Sequence, residues 1–561
     1  MGSAGLGERH SRDICGAVTP LRGSFRAKPD CERMPAEKPA LLLRRRHRSS
    51  FCLRSKGPRV FPGRAWLVEE AAGTSVAILS TNVPFLKWAS QSTFAIEQFW
   101  GRAARASRDS NRVETPVLFL ERSPAAVHWR VRFEIEKLVY GGDGLARLPS
   151  DEQGRGKSVF IPFVLGGEQV EAAVTEEKPG FARARLESVL QASPDRITPG
   201  CPYFQRCGGC HYQHADYSNQ LKIKAAILRE TLERTAKLEI PCQLEIHPSP
   251  EWNYRNRTRL KVEATPHFAL GYYGFRSHDL LPVERCPISS PLINRAIETL
   301  WQWAAHAEVS SHMREVEFFT NHSDDRLLLE VYCGPGTPRR AARELAESLA
   351  AMLGEVSGVT VFAPAKPGSF TPPKRLAQSG EAQLTYKAEL ADYKVGASSF
   401  FQVNRFQIDE LVKIVTENVS GKIAVDLYAG VGLFSVVLAR SFQQVIAVEV
   451  SQDSLADLRD NAPREVKAVS ATTEQFLRQA SGLRPDLVVA DPPRAGLGEG
   501  VVGALAQLGP PRITYVSCDP STLARDLRTF GGLGYRIVGA HLVDLFPQTF
   551  HIESVFHLAA D

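Results

Sequence analysis

A helix that crosses a bilayer needs an uninterrupted apolar run of about 18 residues or more, and this chain has none. No membrane-spanning helix is therefore expected. Missing too, at the N-terminus, is the order of basic region, apolar stretch and small-residue cleavage site that marks a secretory signal. A cytoplasmic location is expected by default. Most of the chain also lacks a strong net charge. Residues 1–64 hold 15 Lys/Arg against 5 Asp/Glu, a net of +10, so the overall +6 leaves −4 for everything after them. The basic character belongs to a tail, and charge alone does not make the folded part a binder of nucleic acid. Nor is there a secreted disulfide framework. Ten cysteines are spread over 561 residues, and three of them cluster, which points to metal or redox chemistry. What is present is an ordinary globular balance, 43% hydrophobic and 23% charged, at a length that calls for about two to four domains.

Residues 1–127 read as a basic, disordered extension. LLLRRRHRSSFCLRSKGPR has no sustained hydrophobic period, and nothing in it builds a core. Arg44, Arg45 and Arg46 are suited to touching RNA phosphates; the plainer reading is a tail, or translated sequence ahead of the true start. Between 128 and 190 the texture changes. VRFEIEKLVYGGDGLARLP alternates apolar and polar residues and turns at Gly141-Gly142-Asp143-Gly144, and SVFIPFVLGGEQV continues the pattern. Short strands at this spacing predict a small β-barrel.

Residues 191–394 read as a central α+β domain. Its first motif, CPYFQRCGGCHYQ, spaces Cys201, Cys207 and Cys210 as C-x5-C-x2-C. Closely spaced thiolates on a glycine-containing loop suit an iron–sulfur cluster or zinc. A closed site needs a fourth ligand. Cys286, in VERCPISSP, is the best candidate, because Cys242 and Cys333 stand in strand-like apolar surroundings and His211 would compete with Cys210 beside it. Residues 216–236 form a helical pattern with Leu221, Ala225, Leu228 and Leu232 on one stripe. WNYRNRTRLKVEA then alternates so that Arg255, Arg257, Arg259 and Lys261 share one face of a strand. Such a face, with Trp252, Tyr254, Tyr272 and Tyr273 as stacking planes, suits a phosphate-tracking surface; a solvated strand face over core aromatics is the alternative. Residues 297–390 read as mixed helix and strand without chemistry, and His306, His312 and His322 as exposed or satisfied histidines.

The last segment, 395–561, is organised around GKIAVDLYAGVGLFSVVLARSFQQVIAVEV. It reads as buried strand, glycine turn, short helix, second strand, with Glu449 closing the second strand. A carboxylate about 20 residues past such a turn is placed to accept bonds from ribose hydroxyls. The absence of a third glycine suits an adenosine ligand better than a dinucleotide. Gln402, in VGASSFFQVN, is a polar residue between apolar neighbours, suited either to a ligand's polar edge or to a loop cap. PDLVVADPPRAGL puts Asp491 at the end of another buried strand, where ligands of open α/β sheets bind. In RITYVSCDPSTLARDL, Cys518 follows a strand and precedes a helix, whose amides are expected to lower its pKa and favour a nucleophile. A lone cysteine is otherwise a small core hydrophobe. FPQTFHIESVFHL offers Glu553 as a base, or as a plain surface charge.

The strand pieces EKLVYGGDGLAR and VFIPFVLGGEQV resemble the TRAM domain, an OB-like RNA-binding barrel. The ordered set FFQVN, DLYAGVGLF, VEV, DPPRAGL, YVSCDPSTLARDL and HIES resembles the RNA 5-methyluridine (uracil-C5) methyltransferases, and with the barrel and cysteine motif the resemblance points to the branch acting on bacterial 23S rRNA. It implies a multidomain α/β protein: the TRAM barrel, a central domain with an iron–sulfur cluster, and a Rossmann-like class I methyltransferase domain. It implies S-adenosylmethionine held by Gln402, Tyr428, Glu449 and Asp491, Cys518 as nucleophile, Glu553 as base, and a [4Fe-4S] cluster on Cys201, Cys207, Cys210 and Cys286. DPPR and SCDP replace the DPAR and SCNP of some members, without touching a role-bearing residue. Expected partners are RNA and no membrane, and the expected state is a monomer. Methylation of the tRNA T-loop, or a non-catalytic cluster-bearing RNA-binding protein, are the alternatives.

Overall fold

The computed structural model describes residues 130–148, 156–264, 266–306, 311–364 and 373–561, together with two short strands, Val68–Glu69 and Ser75–Val76. The chain divides into two units, Met1–Leu120 and Glu121–Asp561. In the first, the two short strands pair antiparallel, Val68 with Val76 and Glu69 with Ser75. Apart from them, the expected disordered extension and the Arg44–Arg45–Arg46 run lie outside the described residues. The second unit holds three sheets of six, seven and eight strands, and a small hairpin.

The six-stranded sheet runs from Arg130–Glu134 to Phe181–Gln191. Alternation places Phe133, Val159, Ile161, Val170, Ala172, Ala182 and Ala184 in one core, with charged residues outward, as the period of two requires. Glu168 ties the barrel to the segment that leaves it. This fully buried carboxylate meets Arg196 with two bonds, Nε to Oε1 at 2.5 Å and Nη2 to Oε2 at 2.7 Å. A paired fork of this kind offsets the cost of burying the charge.

The seven-stranded sheet is centred on Arg257–Glu263, Met313–Thr320 and Leu327–Cys333, with helices Pro291–His306 and Arg339–Ala350 packed on it. Here one expectation fails. The cationic strand face is not free to track phosphates, because the next two strands of the sheet place carboxylates beside it. Arg257 lies 3.3 Å from Glu317 and 3.4 Å from Glu330 and stacks on Phe319. Arg259 and Lys261 pair with Glu317 and Glu315. Tyr254 is fully buried. Cys333 ends a buried strand as expected, whereas Cys242 lies in a bend before Leu244–His247.

The eight-stranded sheet has the order Val466–Ser470, Phe442–Glu449, Gly421–Leu427, Leu487–Ala490, Arg512–Ser517, Glu553–Ala560, Tyr535–Val543, Leu244–His247. The first five strands are parallel, and Glu553–Ala560 runs against both its neighbours. Burial on both faces explains the nearly continuous apolar strand sequences. Val425, Leu427, Val488, Ala490, Ile513 and Tyr515 face one core, and Ala424, Leu487, Val489 and Val516 the other. Packing crosses the division drawn at residue 394. Leu244–His247 is an edge strand of this sheet, and the hairpin Gln383–Lys387/Asp392–Gly396 packs Tyr386 and Tyr393 into its second core. Helix Tyr217–Thr231, continued by a π-turn at Leu232–Ala236, covers the first core. Among the described residues no helix is long and apolar enough to cross a membrane.

Candidate active site

The order of the parallel strands reverses between Gly421–Leu427 and Leu487–Ala490. Such a switch point leaves a crevice beyond the strands' carboxyl ends. Leu427 is in register with Ala490, so Tyr428 and Asp491 leave the sheet side by side. The chain then turns through backbone that side chains resist, with φ +63° at Tyr428, +57° at Gly430 and +92° at Gly432. A Cβ on Gly432 would come within 2.7 Å of Leu458 Cδ1, whereas one on Gly430 would meet open space. Gly430 thus keeps the crevice floor bare.

Glu449 is fixed against this turn. Its Oε2 accepts from Gly430 N at 2.9 Å, and its Oε1 accepts from Val450 N at 2.8 Å and Ser451 N at 2.6 Å. Gln402 is buried, and its Nε2 points to Asp491 Oδ2 at 3.5 Å. Gln402 and Asp491 thus meet at the switch point, with Tyr428 at the adjacent strand end and Glu449 on the glycine turn that follows it. Below them lies a residue the sequence reading missed. Asp426 is fully buried and accepts from Ser435 Oγ at 2.5 Å. Burial pushes Asp426 up to about 7. Burial, and then the Asp426 carboxylate, do the same to Asp491. Two carboxyl groups held together without a cation suit a positively charged ligand.

The other half of the crevice is built by strand register. Ser517 pairs with Ser554 across antiparallel strands. Cys518, just past one strand, and Glu553, the first residue of the other, therefore meet at the same end of the sheet. Glu553 is 4% exposed, which removes the surface-charge reading. Burial raises its pKa well above the usual range, Asp491 adds to that, and Arg494 opposes it. Cys518 is half-buried, and its thiol is pushed up to about 12 by burial first, then by Glu553 and Asp491, again against Arg494. The expected activation by helix amides is thus overturned. Helix Pro520–Gly531 opens with a proline, and the Asp519 side chain takes the amides of Ser521 at 2.9 Å and Thr522 at 3.0 Å. The backbone amide that still favours the thiolate is Cys518's own, and burial with the two carboxyl groups outweighs it.

Two further residues surround the pair. Arg494 Nη2 lies 3.3 Å from His551 Nδ1, and burial followed by Arg494 pushes His551 down to about 3. Tyr140, from the barrel, donates its OH to the Cys518 carbonyl at 3.4 Å and meets Phe550 edge-on at 5.5 Å. Tyr140 stands in the YGGDG turn, whose glycines were the only sign that the barrel approaches something there.

Cys201, Cys207, Cys210 and Cys286 converge on a separate cavity of about 300 Å³, also lined by Gln213, Arg255 and Tyr272. Gly209 N donates to Cys207 Sγ at 3.4 Å. Burial, then the neighbouring thiols, raise Cys207 to about 11 and Cys210 higher still, against the counter-pull of their hydrogen-bond donors and Arg255. In the absence of a metal these thiols keep their protons; four sulfurs around one cavity could serve as ligands to a metal that displaces those protons. The loop is also bound to the segment leading into Glu553, since His211 N and Tyr212 N donate to Gln548 O at 2.8 and 3.0 Å.

Residues 216–561 match the family model described as tRNA (Uracil-5-)-methyltransferase, and residues 129–186 match the TRAM domain. An uncharacterised RNA methyltransferase of Aquifex aeolicus is 33% identical over 432 residues, covering 76% of this chain and 97% of that protein. Another, from Streptomyces avermitilis, is 32% identical over 451 residues, covering 75% and 96%. The crystal structure of Pyrococcus abyssi tRNA (uracil-54, C5)-methyltransferase in complex with S-adenosyl-L-homocysteine superposes with a TM-score of 0.60 at 24% identity, over 76% of this chain and 100% of that one. At that identity the likeness is one of fold.

Proposed function

The chain belongs to the tRNA (uracil-5-)-methyltransferase family, and from that membership we propose that it transfers a methyl group from S-adenosylmethionine to C5 of a uridine in structured RNA, with 23S rRNA as the favoured target. The observation that carries the reading is the meeting of Cys518 and Glu553 at one end of paired strands, beside the Glu449–Gly430 turn. Gln402, Tyr428, Glu449 and Asp491 would hold the cofactor, whose sulfonium supplies an electrophilic methyl. Glu449 would accept the ribose hydroxyls, and the Asp426–Asp491 pair suits a cation.

Uracil C5 is a weak nucleophile. Cys518 Sγ, once its proton has passed to solvent, would add to C6, and the electron pair of the C5–C6 double bond would move toward C5 and O4. C5 would then take the methyl, the electron pair of the broken carbon–sulfur bond staying on the cofactor's sulfur, which leaves as a neutral thioether. Glu553, as the carboxylate, removes the C5 proton; the pair left behind restores the double bond and expels the sulfur. The base must leave its stack to reach this pocket, and a loop uridine does so at least cost.

Cys201, Cys207, Cys210 and Cys286 line one cavity and would hold a [4Fe-4S] cluster, since closely grouped soft thiolates suit iron–sulfur chemistry. Arg255 beside them offsets negative charge.

The test is a methyl-transfer assay on bulk RNA, followed by nucleotide-resolution mapping of 5-methyluridine with and without the protein. Cys518→Ala is expected to abolish transfer while retaining cofactor binding, and full activity in that variant defeats the assignment. Glu553→Gln is expected to accumulate a covalent RNA adduct that migrates slowly on a denaturing gel. The barrel and cysteine motif favour 23S rRNA. The fold likeness to a tRNA uracil-54 enzyme supports a tRNA T-loop target as the second reading, and the mapped nucleotide separates them.

A further inference from the structure

The edge strand Leu244–His247 runs parallel to Tyr535–Val543, with Glu245 in register with His541 and His247 with Val543. Glu245 and His247, two residues apart, point to the same side of the sheet. His247 Nε2 lies 3.1 Å from His541 Nδ1, and Glu245 Oε2 lies 3.7 Å from that same nitrogen. A tetrahedral site with metal–nitrogen bonds of about 2.0–2.1 Å separates neighbouring ligand atoms by roughly 3.3 Å, between those two distances. The other nitrogen of His247, Nδ1, is 2.7 Å from Glu410 Oε1 on helix Ile408–Thr416. An outer carboxylate on the far nitrogen is how proteins orient imidazoles toward metals. The trio borders a cavity of about 720 Å³ shared with Lys413, Glu417, Arg512 and His557. His557 is engaged elsewhere, its Nδ1 3.1 Å from Thr514 Oγ1. Glu245 is 61% exposed, so a remaining coordination position would face water.

We propose that Glu245, His247 and His541 bind a divalent first-row cation of the zinc class, with Glu410 as the outer carboxylate. The cation staples the outermost strand, which comes from the segment preceding the seven-stranded sheet, to the eight-stranded sheet. It shares no residue with the crevice at Cys518 or with the four cysteines, and it does not depend on how the reaction is read.

The test uses the full chain, purified without oxygen so that the cysteine site keeps its native occupant, and then loaded with Zn²⁺ or Co²⁺. The wild type is expected to retain one equivalent of Zn²⁺ through desalting and to gain in Tm. The His247→Ala/His541→Ala double variant is expected to do neither. Co²⁺ in the wild type should give ligand-field bands without sulfur charge transfer; a sulfur band would put the cation on cysteines and overturn the assignment. Equal retention by the double variant also overturns it. So does no retention by either protein, which would leave a histidine–histidine hydrogen bond only. Glu410→Gln removes no direct ligand and guards against a double variant that does not fold. It should weaken Zn²⁺ affinity about 10–100-fold, and an unchanged affinity refutes the outer-carboxylate role.

Discussion

Cys518 carries its proton in the free crevice, because burial and the carboxyl groups of Glu553 and Asp491 all disfavour another negative charge beside them. Arg494 is the cation that opposes them. Alkylation of Cys518 by iodoacetamide, monitored by mass spectrometry, should therefore quicken about tenfold per pH unit through the alkaline range. Glu553→Gln should move that profile to lower pH, and Arg494→Gln to higher pH; profiles that do not move would contradict the electrostatic account. The Asp426–Asp491 pair has the opposite consequence for folding. Both folded-state pKa values are raised to about 7, so between the ordinary carboxylate range and 7 the folded state holds more protons than the unfolded one. Their contribution to stability falls as pH rises through that window. Asp426→Asn should accordingly raise the Tm of the cofactor-free protein more at pH 8 than at pH 5, as calorimetry can check. Cys518 is nominated by its place past a strand and before a helix. Its proton affinity is not legible there, because Asp491, Arg494 and Glu553 reach it from other strands.

Helix Tyr217–Thr231 has an apolar stripe readable from its spacing, but it also buries Gln220 and Lys224. Lys224 Nζ meets Asp544 Oδ1 at 2.6 Å with both side chains out of solvent, and Tyr217 OH donates to Asp544 Oδ2 at 2.9 Å. Lys224→Ala would leave Asp544 buried without its cation and should cost about 3–5 kcal/mol in denaturant unfolding. Replacing both charges with apolar residues of similar volume should cost far less. The strand Arg257–Glu263 teaches the same lesson from the other side. Its alternation is plain in the sequence, yet its cations are spent on Glu315, Glu317 and Glu330 of neighbouring strands. Period identifies a face, and pairing decides what that face meets.

The cysteine loop and the proposed reacting groups, Cys518 and Glu553, belong to one connected body. His211 and Tyr212 hold the Gln548 carbonyl, and Gln220 exchanges bonds with Gln548 through Nε2 at 3.0 Å and Oε1 at 2.9 Å. The segment so held leads directly into Glu553. Cys207→Ser, by weakening the cysteine site, should lower methyl transfer and speed hydrogen exchange in residues 544–552, with cofactor affinity changed less. Exchange rates unchanged in that segment would separate the cysteine site from the crevice at Cys518. Tyr140 links the barrel to the same place through the Cys518 carbonyl.

The order of motifs was sufficient to identify the barrel and the methyltransferase sheet, because strand period and glycine turns are local features of the chain. Strand pairing and packing settled the rest. They drew Leu244–His247 to the edge of a sheet formed by residues far along the chain. They paired the arginine strand with carboxylates, and they set Cys518 between acids while Asp519 took the helix amides. Each of these is a contact between residues distant in sequence, where burial and neighbouring charge, rather than residue type, fix the chemistry.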